Sequence, residues 1–275
     1  MQYYDIVNVI ICYNNGKEVV SYIDSLRPYD QIDTVCFVIT VNSWSETDRK
    51  IINDYIIQSK VAILLYEPGE NLGYMNGLIQ GYLFFRNMYD SPRYVIMSNT
   101  DIYIPDRMYF KKLLSNLYES SIGCIGPSIY VKEKNIYDNP VCEKRRPLQE
   151  INKLIYLFSI PFFRGLYVYL STLKGYFIKN QKSNSRFVYE VHGCYFILTG
   201  NFAEKIKNLK YGVLMYSEET YIAELIYRNN MKIFYDSSLE VVHLEHATTR
   251  FIGNSKIAKY ICESMKYIKN EFYNE

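Results

Sequence analysis

"VIMSNTDIYIP", residues 95–105, is the stretch on which the reading of this chain turns. Tyr94, Val95, Ile96 and Met97 form an apolar run that reads as a buried strand. The run breaks at Ser98-Asn99-Thr100-Asp101 and resumes with Ile102, Tyr103 and Ile104. A carboxylate between two apolar stretches is costly to bury unless it is paired, hydrogen-bonded or bound to a metal. A turn is one answer, because Asn and Asp side chains bond their own backbone. The sharper answer is that the strand delivers Asp101 to a divalent cation at its carboxyl end.

Outward from that stretch, the first 130 residues alternate between short β-rich runs and helical patterns. Ile6–Cys12, Thr34–Val41, Val61–Tyr66, Tyr94–Ser98 and Ile122–Pro127 read as strands. Residues 17–27, 46–58, 73–89 and 106–119 read as helices. In the third of these, Met75, Leu78, Tyr82, Phe85 and Tyr89 recur at three- and four-residue steps and line one face. Such alternation implies an α/β fold, with a mostly parallel sheet covered by helices on both faces. Ligands of such sheets bind beyond the carboxyl ends of the strands. Four polar clusters follow the first four strands: Tyr13-Asn14-Asn15, Asn42-Ser43-Trp44-Ser45, Glu70-Asn71-Leu72-Gly73 and Asn99-Thr100-Asp101. Loops are commonly polar, but these four are expected to meet along one edge.

Composition sets outer bounds. The 275 residues suffice for one large domain with a buried core. A net charge of +2 gives no global field that would recruit nucleic acid. Cys12, Cys36, Cys124, Cys142, Cys194 and Cys262 are scattered without a C-x-x-C pair, the pattern of buried free thiols in a reducing compartment. The start "MQYYDIVNVI" has no basic region before its apolar run, so no secretory signal is visible and a cytoplasmic location is the default expectation.

After Pro127 the pattern changes. Residues 132–153 are charged and loop-like and include Lys144-Arg145-Arg146; "LIYLFSIPFFRGLYVYLSTLKGYFI" then runs from 154 to 178. Pro161, Arg164, Gly165, Lys174 and Gly175 interrupt that run, which argues against a transmembrane helix. Helices packed on the main domain are one reading; an amphipathic surface lying on a membrane is the other. Further on, "FVYEVHGCYFILTG" (187–200) reads as a strand with a central glycine. "YSEETYIAELIYRNN" (216–230) reads as a helix capped by Ser217. "KIFYDSSLEVVHLEHATT" (232–249) gives two short strands, and 254–272 a terminal helix.

Chemistry concentrates in few places. Glu218 and Glu219 open the 216–230 helix, where acidic residues interact favourably with the helix dipole; one of the pair could instead accept a hydroxyl proton. His243 and His246 are two of the three histidines. Residues three apart in a strand face opposite sides, so His243, closing the Glu240–Val242 run, is the one expected to point at the cation as a neutral imidazole. His192 stands near a prospective acceptor pocket. "ENLGYMNG" (70–77) supplies Asn71 and Gly73 before a helix and is not a phosphate loop, lacking G-x-G-x-x-G and G-K-[ST].

Taken together, these motifs resemble the inverting family 2 glycosyltransferases of GT-A fold, especially bacterial rhamnosyltransferase-like members that build surface polysaccharides. "VIICYNN" (9–15) resembles the family's opening strand with its nucleotide-contacting Tyr-Asn, here Tyr13 and Asn14. "NLGYMNG" (71–77) resembles its Asn-x-Gly-aromatic segment. "MSNTD" (97–101) stands where the family has its metal-binding Asp motif. "EVHGCYFILTG" (190–200) resembles the glycine-containing strand that shapes the acceptor side. "YSEETY" (216–221) stands where an acidic pair carries the base as its second member, and "VVHLEHA" (241–247) resembles a late strand ending in a metal-reaching His.

The resemblance implies a Rossmann-like central sheet in a GT-A domain with a helical insertion and a small C-terminal extension. The nucleotide-sugar half would be 1–130, the helical insertion facing membrane or acceptor 131–186, the acceptor and catalytic half 187–252, and the terminal helix 253–275. It implies Glu219 as base with Glu218 beside it, and Asp101 and His243 as ligands of Mn2+ or Mg2+. Tyr13, Asn14, Asn42, Asn71, Gly73 and Asn99 would hold the donor. A nucleotide-diphosphate sugar would be that donor and a glycan or lipid-linked glycan the acceptor, with a peripheral membrane contact through 154–178. One departure is visible: "ITVNSWS" (39–45) puts Val41 where the family's second strand usually ends in Asp, and valine accepts no hydrogen bond from a nucleoside. A nucleotidyltransferase would need a basic residue near the first loop, where only Lys17 stands; a non-catalytic sugar-nucleotide-binding subunit of a membrane assembly is the other alternative, supported by Val41.

Overall fold

A computed structural model describes residues 3–160, 181–244 and 254–273. Ten strands make one sheet among these residues: β1 (Ile6–Tyr13), β2 (Val35–Ser43), β3 (Ala62–Tyr66), β4 (Tyr94–Ser98), β5 (Ile102–Tyr103), β6 (Ile122–Val131), β7 (Ile136–Tyr137), β8 (Arg186–Val188), β9 (Tyr195–Thr199) and β10 (Lys232–His243). Their order is β3-β2-β1-β4-β9-β6-β10-β5, with β7 paired to β6 and β8 to β10. β1, β2, β3 and β4 run parallel; β9 inserts antiparallel between β4 and β6, and β6 and β10 are again parallel to each other. Six of the long strands therefore share one direction, as strand-helix alternation demands.

Helices cover both faces. α1 (Gly16–Leu26), α2 (Glu46–Gln58) and α4 (Tyr109–Ser115) lie on one side; α3 (Tyr74–Arg86), α7 (Glu218–Arg228) and α8 (Asn254–Phe272) lie on the other. Between these in the chain come α5 (Leu148–Ser159) and the short α6 (Gly200–Ala203). β1 shows why no face is left wet: Ile6 and Ile10 join the core with Tyr22 and Leu26, and Val7 and Val9 join that with Leu78 and Tyr82. Asn8 falls on the first face, buried, and its Nδ2 donates to Tyr22 Oη at 2.8 Å, while its Oδ1 is buried without a hydrogen-bond partner. α2 begins with a capping box, Ser45 accepting from Asp48 N while Asp48 accepts from Ser45 N.

The first four strands and the first two helices fall within about two residues of their sequence-based limits; α3 ends at Arg86, short of 89, and α4 is shorter than 106–119, beginning only after the Asp106 side chain accepts from Met108 N at 2.9 Å. The later half departs more. Residues 187–200 are not one strand: β8 pairs with β10 while β9 enters the sheet between β4 and β6. The connection between them leaves the sheet, where Glu190 N donates to Cys142 O at 3.0 Å and Cys142 N to Glu190 O at 3.2 Å. Residues 232–243 are conversely one strand with a bulge, Asp236 pairing with Pro127 and Glu240 with Ser128. Asp236 holds the bulge: its Oδ1 accepts from Ser238 N and Oγ, its Oδ2 from Asn116 and Tyr118. Ser217 does not cap α7 with its side chain; it sits at φ +61° and its hydroxyl bonds Ser264 Oγ at 2.8 Å.

Of the 131–186 insertion, the described residues include β7 and α5, and α5 packs against α8. No helix among the described residues is long and apolar enough to cross a membrane. Of the expected membrane-facing stretch from 154 to 178, residues 161–178 lie outside the described residues, as does His246. Ahead of α5, Arg145 reaches Glu224 of α7 through Nη2 at 2.9 Å and Nε at 3.0 Å, and Phe272 O of α8 at 3.0 Å, with Tyr273 and Tyr227 rings 4.3 and 4.8 Å away. Glu224 is wholly buried. Truncating one member of a buried pair leaves the other uncompensated, at a cost of about 3 kcal/mol or more. Arg145→Ala is therefore expected to lower the urea midpoint sharply with an unchanged slope; a midpoint equal to that of the unmodified protein would show the pair to be dispensable.

Candidate functional site

The strand carrying the opening stretch ends where the sequence places it. β4 finishes at Ser98, and Asn99 N donates to Cys194 O at 2.8 Å, tying the turn to the start of β9. β5 then pairs antiparallel with β10, His243 opposite Ile102, and Leu244 N donates to Asp101 O at 2.9 Å. That register brings Asp101 Oδ2 to 3.3 Å from His243 Nε2, both side chains 12% exposed. Residues 142 positions apart thus meet because two short strands share a ladder. The bulge at Asp236 supplies the extra residues that set this register.

The four polar clusters are joined by hydrogen bonds. Asn15 Nδ2 donates to Thr100 Oγ1 at 3.1 Å, linking the first cluster to the fourth. Asn14 N donates to Ser43 O at 2.8 Å, and Ser43 Oγ to Asn14 Oδ1 at 3.1 Å, linking the first to the second. Asn42 links the second to the third, its Nδ2 donating to Gly73 O at 2.9 Å and its Oδ1 accepting from Leu72 N at 3.2 Å. Both ends of the Asn42 amide therefore shape the loop, while Asn71 Oδ1 accepts from Gly73 N at 2.9 Å. Tyr13 is exposed at the rim.

Gly73 occupies φ +80°, and a Cβ there would lie 2.2 Å from Leu214 O. Both facts demand glycine. Gly73→Ala is expected to cost about 2 kcal/mol or more from the backbone conformation alone, read as a lowered midpoint in chemical unfolding. Full retention of stability would mean that the Gly73–Leu214 contact is readily relieved.

Tyr74, directly after it, was not among the residues expected at the site. It is partly buried, and its hydroxyl donates to Gly193 O at 3.1 Å across the sheet edge. Burial, followed by the charges of Cys194, Glu218, Asp101 and Glu219, pushes its phenol well up. Tyr74 thus lies within electrostatic reach of both acidic centres. Glu219 closes the other side: a Cβ on Gly193 would meet its Oε2 at 2.9 Å, so the carboxyl rests against bare backbone. Glu218 is buried and accepts from Tyr216 N at 2.7 Å. Tyr216 and Ser217 hold φ values of +74° and +61° just before α7, two consecutive left-handed non-glycine residues that store strain at the turn presenting the acidic pair.

Electrostatics divide the two centres. Burial works to raise the Asp101 carboxyl, but the hydrogen bond and charge of His243, with Asn99, hold it below the ordinary 3.8. Burial raises both Glu218 and Glu219; for Glu219 the neighbouring carboxylates Glu218 and Glu190 add to the effect. One centre is set up to stay anionic and the other to hold a proton up to higher pH.

Asp101 and His243 fit two coordination positions of a divalent cation. Asp101 Oδ1 is buried without a hydrogen-bond partner, and two donors of one octahedral ion stand about 3 Å apart, close to the 3.3 Å found. Among the described residues no group of three or more His, Cys, Asp and Glu side chains could hold a metal. The remaining positions would fall to ligand oxygens and water, the usual arrangement for Mg2+. His192 lies beside this pair, its ring centre 5.9 Å from that of His243; its Nδ1 accepts from Cys194 N at 3.1 Å and its Nε2 lies 3.4 Å from Asp138 Oδ2.

No family model matches the sequence, and no curated protein matches it significantly. Solved structures do resemble it. The mannosyltransferase PcManGT from Pyrobaculum calidifontis, solved with GDP-Man and Mn2+, is 11% identical with a TM-score of 0.57, the match covering 98% of this chain and 71% of that one. GalNAc-T7, solved with UDP, GalNAc and Mn2+, is 13% identical with a TM-score of 0.62; the match covers all of this chain and 49% of that one, so the present chain spans about half its length. The fold is accordingly the GT-A glycosyltransferase fold.

Proposed function

We propose that this chain is a metal-dependent inverting glycosyltransferase that moves a sugar from a nucleotide-diphosphate donor to an acceptor hydroxyl. The observation that supports it most is the meeting of Asp101 and His243, 3.3 Å apart at the carboxyl edge of the sheet, with Glu219 across Tyr74 and Gly193. The likeness in fold to two transferases solved with nucleotide or nucleotide sugar and Mn2+ supports it further. A bound divalent cation would supply electrostatic stabilisation of the departing diphosphate. Asp101 and His243 would hold that cation, and the loop of Asn71 to Tyr74, shaped by Asn42, would lie along the donor with Tyr13, Asn14 and Asn99. Glu219 would take the proton of the acceptor hydroxyl as that oxygen attacks the anomeric carbon. One displacement inverts the centre, so no covalent intermediate on the protein is needed.

Family 2 membership, a rhamnosyltransferase-like donor and a role in bacterial capsule, O-antigen or exopolysaccharide synthesis are the finer readings, and they rest on the sequence motifs. A hexose or deoxyhexose donor, a lipid-linked glycan acceptor and a peripheral contact with the inner face of the cell membrane through 154–178 belong with them. The position of Val41, 6% exposed and without a carboxylate to offer, favours the alternative of a non-catalytic sugar-nucleotide-binding subunit. Release of nucleoside diphosphate from a panel of nucleotide sugars, with Mn2+ and with chelator, decides between them. Metal-dependent release that an acceptor glycan accelerates supports the transferase; tight donor binding without release in any combination supports the binding subunit.

A further inference from the structure

Lys144-Arg145-Arg146 reads in the sequence only as part of a charged loop. Arg145 clamps α7 to α8, as described above. Arg146 takes a different path: its Nη1 lies 2.6 Å from Glu190 Oε2 and 3.4 Å from Thr220 Oγ1, and Thr220 donates to the same Glu190 oxygen at 3.2 Å. Glu190 is 1% exposed and the Arg146 side chain 15%. Thr220 follows Glu219 in the first turn of α7, and Glu190 stands three residues before Gly193, on which the Glu219 carboxyl rests. The cation therefore sits behind the site and touches both segments that cradle Glu219.

We propose that Arg146 is a positioning residue which, through Glu190 and Thr220, fixes the first turn of α7 and sets the charge state of Glu219. This rests on the reading of Glu219 as the base. A buried cation paired with a buried carboxylate acts on a third group with two opposed signs, so the network carries a directional signature. The groups facing Glu219 are Glu218 on its own helix, Glu190 from the β8–β9 connection, Arg146 from the strap before α5, Tyr74 of α3, Tyr211 from the segment before α7, and Cys194 before β9. Burial raises the two phenols and the thiol, leaving them neutral near pH 7. Glu218 and Glu190, whose own carboxyls burial also raises, oppose ionisation of Glu219 once they are themselves ionised, and Arg146 favours it.

The test is a carboxyl NMR titration of protein labelled with 13C-glutamate, with the Glu219 signal identified by its loss in Glu219→Gln. Glu190→Gln is expected to move the Glu219 midpoint down by about one pH unit and Arg146→Gln up by a similar amount. The double variant, which removes both charges, should return near the original midpoint, and Arg146→Lys should stay there. Midpoints that do not move, or that move in the same direction for both single variants, overturn the proposal. If Arg146→Gln does not fold, Glu190→Gln and the double variant decide: a Glu190→Gln midpoint equal to the original overturns the network. The titration needs no substrate, so it separates the two claims. Shifted midpoints without a matching shift in the pH profile of donor turnover leave the network standing and remove Glu219 as base. Unshifted midpoints with turnover abolished in Glu219→Gln do the reverse.

Discussion

Glu219→Gln is expected to lower transfer by about 10²- to 10⁴-fold, the range that a positioned proton acceptor contributes, while donor affinity measured calorimetrically stays within about twofold. Glutamine keeps the size and polarity of the side chain and removes only its ability to take a proton. The pH profile carries the same assignment. Burial and the adjacent carboxylates raise the Glu219 carboxyl above its ordinary 4.5, and a carboxylate proposed as a general base works only when ionised. Turnover should therefore rise with pH through a window above that of an ordinary carboxylate. Stability runs the other way. A carboxyl that holds its proton more tightly folded than unfolded costs stability as pH climbs above the unfolded value of 4.5. Glu219→Gln removes that cost, so the variant should unfold at a higher temperature than the unmodified protein at pH 8 and at about the same temperature at pH 4. Equal melting at both pH values, with turnover intact, would remove Glu219 from the mechanism.

Asp101→Ala should abolish the part of donor binding that depends on the metal. Losing about 3 kcal/mol of metal-dependent binding would weaken the donor complex roughly 100-fold. The expected result is that a nucleoside diphosphate binds the variant equally with and without Mn2+, at the affinity the unmodified protein shows in chelator. His243→Ala should fall in the same direction by a smaller factor, because the carboxylate supplies the charge and the imidazole a neutral donor. A Mn2+ dependence that survives in Asp101→Ala would place the cation elsewhere on the sheet edge.

Local patterns carried much of this architecture. Strand-helix alternation to residue 127 is written in runs of Ile, Val and Phe that can only be buried on two faces, and the resulting parallel sheet obliges its loops to converge at one end. Asp101 was legible because a carboxylate between apolar stretches demands a reason, and Glu219 because it opens a helix facing the same edge. Tyr74 was open to view, directly after the glycine of the Asn71–Gly73 loop, yet nothing local says that its hydroxyl crosses to Gly193. Asn42 carried the opposite surprise: its amide is committed to Leu72 and Gly73, a role invisible without the loop that it holds. The split of 187–200 into β8 and β9 escaped the pattern because both pieces are β-rich and only their partners differ.

The order of side chains along the chain therefore determined the fold class, the sheet edge at which the candidate site lies and the residue types available there. Propensity, periodicity and turn chemistry act over a few residues and are readable in one dimension. The tertiary structure alone decided which of them touch. Asp101 reaches His243 through a two-residue ladder and a bulge pinned by Asp236, and Arg146 reaches the Glu219 turn through Glu190, 44 residues away. Register and buried charge pairing are set by the free energy of the whole packed sheet, so no local window contains them.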